Sequence, residues 1–155
     1  SNGILFNHES PRRGSNFVTS KVVKTAVEIK LGIRSQLELG NMDSSRDWGH
    51  SKDYVRAMVK MLNHNEPDDF VIATGQTHTV RDLVSKVFRC LDLDYENFVV
   101  QNPKYLRPEE LPYLRGDASK AREVLGWEPK VSFEELIEEM VEFWLAKLSN
   151  RQVKI

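Results

Sequence analysis

Gly3-Ile4-Leu5-Phe6 passes directly into Asn7-His8-Glu9-Ser10-Pro11-Arg12-Arg13-Gly14. A short apolar run that breaks abruptly into a polar, basic segment is the pattern of a strand buried on both faces, the kind found in parallel sheets. Parallel strands need neighbours reached through crossover connections. Either this strand pairs with later ones, or the chain is a portion of a larger α/β protein, and the second expectation is favoured. Residues at the C-terminal ends of strands in open α/β sheets face the ligand crevice, so the segment from Asn7 onward is well placed for binding.

Outward from this run, the apolar periodicity alternates between helix and strand. Val18, Val22, Ala26 and Ile29 recur at helical spacing up to Gly32, after a polar loop over 7–16. Gln36-Leu37-Glu38-Leu39 alternates like an edge strand and ends at Gly40-Asn41. A second helix begins at about Ser51, taken as its N-cap, and carries Tyr54, Val55, Met58, Val59 and Leu62. Phe70-Val71-Ile72-Ala73 is a second buried-type strand. Thr79 and Asp82 form a capping box in front of a helix with Val80, Leu83, Val84, Val87 and Phe88 inward. Phe98-Val99-Val100 is a third strand candidate, and 103–112 an irregular loop. Asp117 is expected to cap a short helix stopped by Gly126. Ser132 and Glu135 form a second capping box before a helix that reaches Leu148, with a fraying tail over 149–155. The expected fold class is α/β, mixed and helix-rich.

Composition narrows the function. Twenty-two basic residues balance twenty-three acidic ones among 155, a net charge of -1 that offers no field to hold a nucleic acid. No apolar stretch approaches the ~20 residues that span a bilayer. The single cysteine, Cys90, forms no internal disulfide and fits a small buried hydrophobe. A cytoplasmic setting fits best. The eight glycines make neither a dinucleotide fingerprint nor a P-loop. No tyrosine is followed four residues later by lysine, no HExxH or G-x-S-x-G occurs, and the histidines stand singly, so neither a catalytic set nor a metal site is expected.

Cations next to aromatic or amide groups nevertheless recur in separate segments: Asn7 to Arg13, Lys21, Arg46-Asp47-Trp48-Gly49-His50, and Tyr105-Leu106-Arg107-Pro108-Glu109-Glu110. A diphosphate needs cations converging from different elements in a partly dry cleft. Asn7 and Glu110 suit sugar hydroxyls. Each feature also has a plainer reading: a solvated loop for Arg12 and Arg13, core packing for Trp48, a mutual bridge for Arg46 and Asp47, and solvent for Lys21.

At these same residues the chain resembles the GDP-mannose 4,6-dehydratase family of extended short-chain dehydrogenase/reductases. The resemblance rests on residues 2–14 with Asn16-Phe17-Val18-Thr19, on Leu39-Gly40-Asn41, on residues 46–50 and 69–75, and on Arg107-Pro108-Glu109-Glu110, Gly116-Asp117 and 121–127 with Pro129. It departs at Ser20, where the family usually has arginine. It implies an enzyme, a lyase that removes water across C5 and C6 of GDP-mannose to give GDP-4-keto-6-deoxymannose, the precursor of GDP-fucose. A bound NADP accepts a hydride from C4 and returns it at C6. The implied GDP-sugar contacts are Asn7, Lys21, Arg46, Arg107 and Glu110, and the implied NADP contacts are His8 and Arg13. Residues 1–14 would be the last strand and loop of the dinucleotide-binding domain, 15–148 the sugar-nucleotide lobe, and 149–155 a tail. The chain alone is expected to be inactive, because the family's cofactor cradle and Tyr-x-x-x-Lys lie upstream. The alternatives are a free-standing nucleotide-sugar-binding module, or the lobe of a related reductase or epimerase. An apolar edge at Ile4, Leu5 and Phe6 further predicts self-association into a homo-oligomer.

Overall fold

The computed structural model describes residues 1–106 and 108–152, with the side chains of residues 151 and 152 left undescribed. Arg107 and residues 153–155, with the expectations that fall on them, lie outside the described residues.

In chain order the elements are β1 (Asn2–Leu5), β2 (Asn7–Glu9), α1 (Val18–Lys30), β3 (Leu37–Leu39), β4 (Ser45–Arg46), β5 (Trp48–His50) and α2 (Ser51–Leu62). They continue as β6 (Asp69–Ile72), β7 (His78–Thr79), α3 (Val80–Cys90), β8 (Val99–Gln101), β9 (Tyr113–Leu114), α4 (Ser119–Leu125) and α5 (Phe133–Gln152). The strands make small separate sheets. Parallel pairs join β1 with β6, β2 with β5, and β3 with β8, while β4 lies between β7 and β9.

Two apolar cores hold these elements. The larger gathers Val22, Val23, Ala26 and Val27 of α1, Leu83, Val84 and Val87 of α3, and Leu136, Ile137 and Met140 of α5, with Leu37 and Leu39 of β3. The smaller packs Tyr54, Ala57 and Met61 of α2 with Phe70 and Ile72 of β6 and with Ala121, Leu125 and Trp127. The apolar stripes identified in α1, α3 and α5 are the faces that meet in the larger core. The stripe expected for α2 is corrected: Val55, Met58, Val59 and Leu62 are exposed, and Tyr54 enters the smaller core beside Ala57 and Met61 instead.

Both capping boxes form. Thr79 accepts from the N–H of Asp82 while the Asp82 carboxylate receives the Thr79 N–H, and Ser132 and Glu135 repeat the exchange. Gly32 ends α1 at φ 70°, the left-handed conformation that suits glycine after a helix.

Several expectations are corrected. The first strand is not buried on both faces: β1 has β6 on one side, and Ile4 is 56% exposed because it points away from α2 while Gly3 and Leu5 face it. The start of the polar loop is a strand, since Asn7, His8 and Glu9 pair with Trp48, Gly49 and His50. The N-cap of α2 is His50, whose Nδ1 accepts from the N–H of Lys52, leaving the Ser51 hydroxyl to donate to the Glu9 carbonyl. Asp117 does accept from the N–H of Ser119, but Ala118 occupies the cap position of α4. Helix α5 continues beyond Leu148 to Gln152. Among the described residues no helix is long and apolar enough to cross a membrane.

Candidate functional site

A cavity of about 520 Å³ opens where the ends of β2, β3 and β4 meet the first turn of α1. Four of the residues expected to touch a nucleotide sugar, Asn7, Lys21, Arg46 and Glu110, line it together, and Arg13 joins them. The β2–β5 pairing sets Asn7 opposite Trp48, and β4 carries Arg46 in the strand just before β5. Three cations, Arg13, Lys21 and Arg46, and one carboxylate, Glu110, border this space.

Glu110 and the three cations each have partners in the fold. Glu110 accepts from Asn41 Nδ2 at 3.1 Å and from the Ser44 hydroxyl at 3.3 Å, and its Oε1 lies 3.6 Å from Arg46 Nη2. Arg46 Nη1 donates to the Ser45 carbonyl at 2.8 Å. Lys21 is half-buried and not free: its Nζ donates to the Glu38 carbonyl at 2.6 Å and sits 4.0 Å from the centre of the Tyr105 ring. Burial lowers the Lys21 pKa from the usual lysine range, as desolvation does for an ammonium. Arg13 pairs with Glu9 at 3.1 Å and lies over the Phe17 ring. Burial raises the Glu9 carboxyl pKa, and the Thr19 hydroxyl and Arg13 act in the opposite direction.

His8 is not brought into this cavity. Its Nδ1 lies 2.8 Å from the Phe6 carbonyl, and its ring stacks on Tyr54 with centroids 5.0 Å apart. Trp48 is core, stacked on Phe133, which stacks in turn on His78 at 3.9 Å, although Trp48 also borders the cavity. The Arg46–Asp47 bridge does not form; Asp47 instead holds the backbone of Thr74 and Gly75. The sequence reading missed Asn41 and Ser44 as supports of Glu110. The signals for Asn41 were its place just past the end of an alternating strand and its position in the Leu39-Gly40-Asn41 run of the family resemblance. Among the described residues no group of three His, Cys, Asp or Glu side chains gathers as a metal site.

The fold has close counterparts among solved structures. One is RMD of Pseudomonas aeruginosa complexed with NADPH, with a TM-score of 0.86 and 23% identity, covering 94% of this chain and 48% of that one. Another is a UDP-glucose 4-epimerase of Thermotoga maritima solved with UDP-glucose, with a TM-score of 0.81 and 27% identity, covering 94% of this chain and 46% of that one. The architecture is therefore the α/β fold of the short-chain dehydrogenase/reductase epimerases and dehydratases.

The sequence narrows the class further. The profile of the family described as GDP-mannose 4,6 dehydratase matches residues 1–140, and the chain belongs to that family. GDP-mannose 4,6 dehydratase 2 of Arabidopsis thaliana is 52% identical over 141 residues, covering 91% of this chain and 38% of that protein. The Homo sapiens GDP-mannose 4,6 dehydratase is 48% identical over 158 residues, covering 90% of this chain and 42% of that protein. The chain thus spans less than half the length of these curated relatives.

Proposed function

We propose that this chain holds the nucleotide sugar in a GDP-mannose 4,6-dehydratase, a lyase that converts GDP-mannose to GDP-4-keto-6-deoxymannose. The observation that carries this reading is the gathering of Asn7, Lys21, Arg46 and Glu110 around one cavity by elements far apart in sequence. Cations from different elements neutralise a diphosphate without crowding one another, and a carboxylate already fixed by Asn41 and Ser44 can accept from a ribose or sugar hydroxyl. Arg107 belongs to the same proposed contact set by its place in the sequence.

The family's cofactor, NADP, fits these residues only in part. Arg13 presents a cation at the same cavity and suits a phosphate or ribose of the cofactor. His8, in the middle of β2, is engaged with the Phe6 carbonyl and Tyr54 and forms no phosphate cradle. NADP, when bound, supplies hydride transfer at C4 of the sugar. This chain's part is to bind and orient the substrate. It carries no Tyr-x-x-x-Lys pair, so we assign it no catalytic residue and no dehydration by itself.

In this reading residues 1–14 complete a dinucleotide-binding sheet, 15–148 form the sugar-nucleotide lobe, and 149–155 are its tail. The assembly is a cytoplasmic homo-oligomer. In the chain taken alone, the half-exposed Ile4 on the open edge of β1 supports self-association.

Calorimetric titration with GDP-mannose, with UDP-glucose as the control, tests the proposal. Saturable binding of GDP-mannose and none of UDP-glucose is expected. Binding of neither, or of both alike, overturns the claim that these residues hold and discriminate the ligand.

A further inference from the structure

We propose that Asp47 is a positioning residue that fixes the Arg46 guanidinium in the cavity. The inference rests on the reading that the cavity takes the diphosphate of a GDP-sugar. Asp47 is 1% exposed, and its carboxylate meets neutral donors drawn from two distant segments. Oδ1 accepts from the Thr74 N–H at 2.9 Å and the Thr74 hydroxyl at 2.6 Å. Oδ2 accepts from the N–H of Gly75 at 2.9 Å and of Gly116 at 3.3 Å. Its own N–H donates to the Leu114 carbonyl at 3.1 Å.

These bonds do for β4 what its length prevents the sheet from doing. The strand is two residues long, so few ladder bonds hold the backbone that carries Arg46. The Arg46 side chain itself is anchored weakly, by the neighbouring Ser45 carbonyl and a 3.6 Å approach to Glu110. Asp47 therefore ties the peptide next to Arg46 to the turn after β6 and to the irregular segment at Gly116 that follows β9. Gly116 can lie this close because it has no side chain; a Cβ there would overlap Ala73. The role needs a carboxylate: an amide in its place would turn an NH₂ group toward backbone N–H donors. A buried carboxylate fully occupied by donors is also rigid, and a rigid cation loses less on meeting a phosphate than a mobile one.

The test measures the affinities of GDP and guanosine for the wild-type chain and for Asp47→Asn, Arg46→Gln and the double variant. Thr74→Val serves as a milder release of the clamp should Asp47→Asn fail to fold. We expect Asp47→Asn to weaken GDP binding about tenfold or more, the loss of a charge-assisted contact. Guanosine binding should stay unchanged, and no further loss of GDP affinity should appear in the Arg46→Gln background. Thr74→Val should move in the same direction by less. Equal losses for GDP and guanosine, or losses that multiply with Arg46→Gln, would show a purely structural residue and overturn the inference. A wild-type chain that binds guanosine and GDP alike leaves the cavity without a diphosphate site, which overturns the functional reading and this inference with it.

Discussion

The backbone carbonyl of Tyr105 lies directly over Gly40, so close that a Cβ on Gly40 would overlap it. This contact sets the turn containing Tyr105 against the end of β3 and brings its ring over Lys21. Gly40 is needed here for close approach rather than for an unusual backbone angle. Gly40→Ala should push residues 103–106 outward, cost about 1–3 kcal/mol of stability by overpacking, and weaken binding of GDP-mannose. Urea unfolding and calorimetry on the same variant check both parts. An alanine variant with wild-type stability and affinity would contradict the close packing.

Lys21 is the cation whose environment departs furthest from a surface lysine. It is partly desolvated, bonded to the Glu38 carbonyl and covered by Tyr105. Lys21→Met keeps the aliphatic stem and removes the charge. The expected result is a loss of GDP-mannose affinity of about 10–100-fold with an unchanged melting temperature, read by titration and thermal unfolding together.

Asp53 should matter for stability rather than binding. It is fully buried, its Oδ2 accepts from the N–H groups of Lys130 and Val131, and its Oδ1 pairs with Arg56 at 2.9 Å. Its backbone carbonyl receives the Trp127 indole N–H. One side chain thereby locks α2 to the segment that leads into α5. Asp53→Ala leaves those donors unpaired and should cost about 3 kcal/mol or more, measured as a shift of the urea midpoint.

The capping box of α3 predicts a pH dependence of definite sign. Hydrogen bonds from the Thr79 hydroxyl and backbone hold the Asp82 carboxyl below its ordinary pKa. A carboxyl depressed in the folded state adds stability above its unfolded pKa and loses it as pH falls through the folded value. Asp82→Asn should therefore cost about 0.5–1 kcal/mol at neutral pH, in keeping with an exposed cap. The gap to wild type should close in acid. Melting curves at neutral and acid pH decide it, and a gap independent of pH would reject the box as its source.

Much of this was legible in the chain because it depends on neighbours in sequence. The stripes of α1, α3 and α5 and both capping boxes follow from spacings of three and four residues. The cation-bearing segments could be singled out for the same reason: residue types next to one another already suggest phosphate or hydroxyl chemistry. Short strands were harder to find. Ser45–Arg46, Trp48–His50, His78–Thr79 and Tyr113–Leu114 are two or three residues long and have no period of their own. They exist because a partner elsewhere satisfies their backbone groups.

The sequence by itself determined the helices, the inward faces of α1, α3 and α5, the family, and which polar segments were candidates for a ligand. Only the tertiary structure decided that Asn7, Lys21, Arg46 and Glu110 share one cavity while His8 turns aside to Tyr54. It also decided that Asp47 serves the backbone instead of bridging to Arg46. The reason is physical. Helical periodicity is encoded within a few residues, whereas a buried carboxylate or a converging set of cations is fixed by donors and strands some 30 to 70 residues away, as Asp47 with Thr74 and Gly116 illustrates.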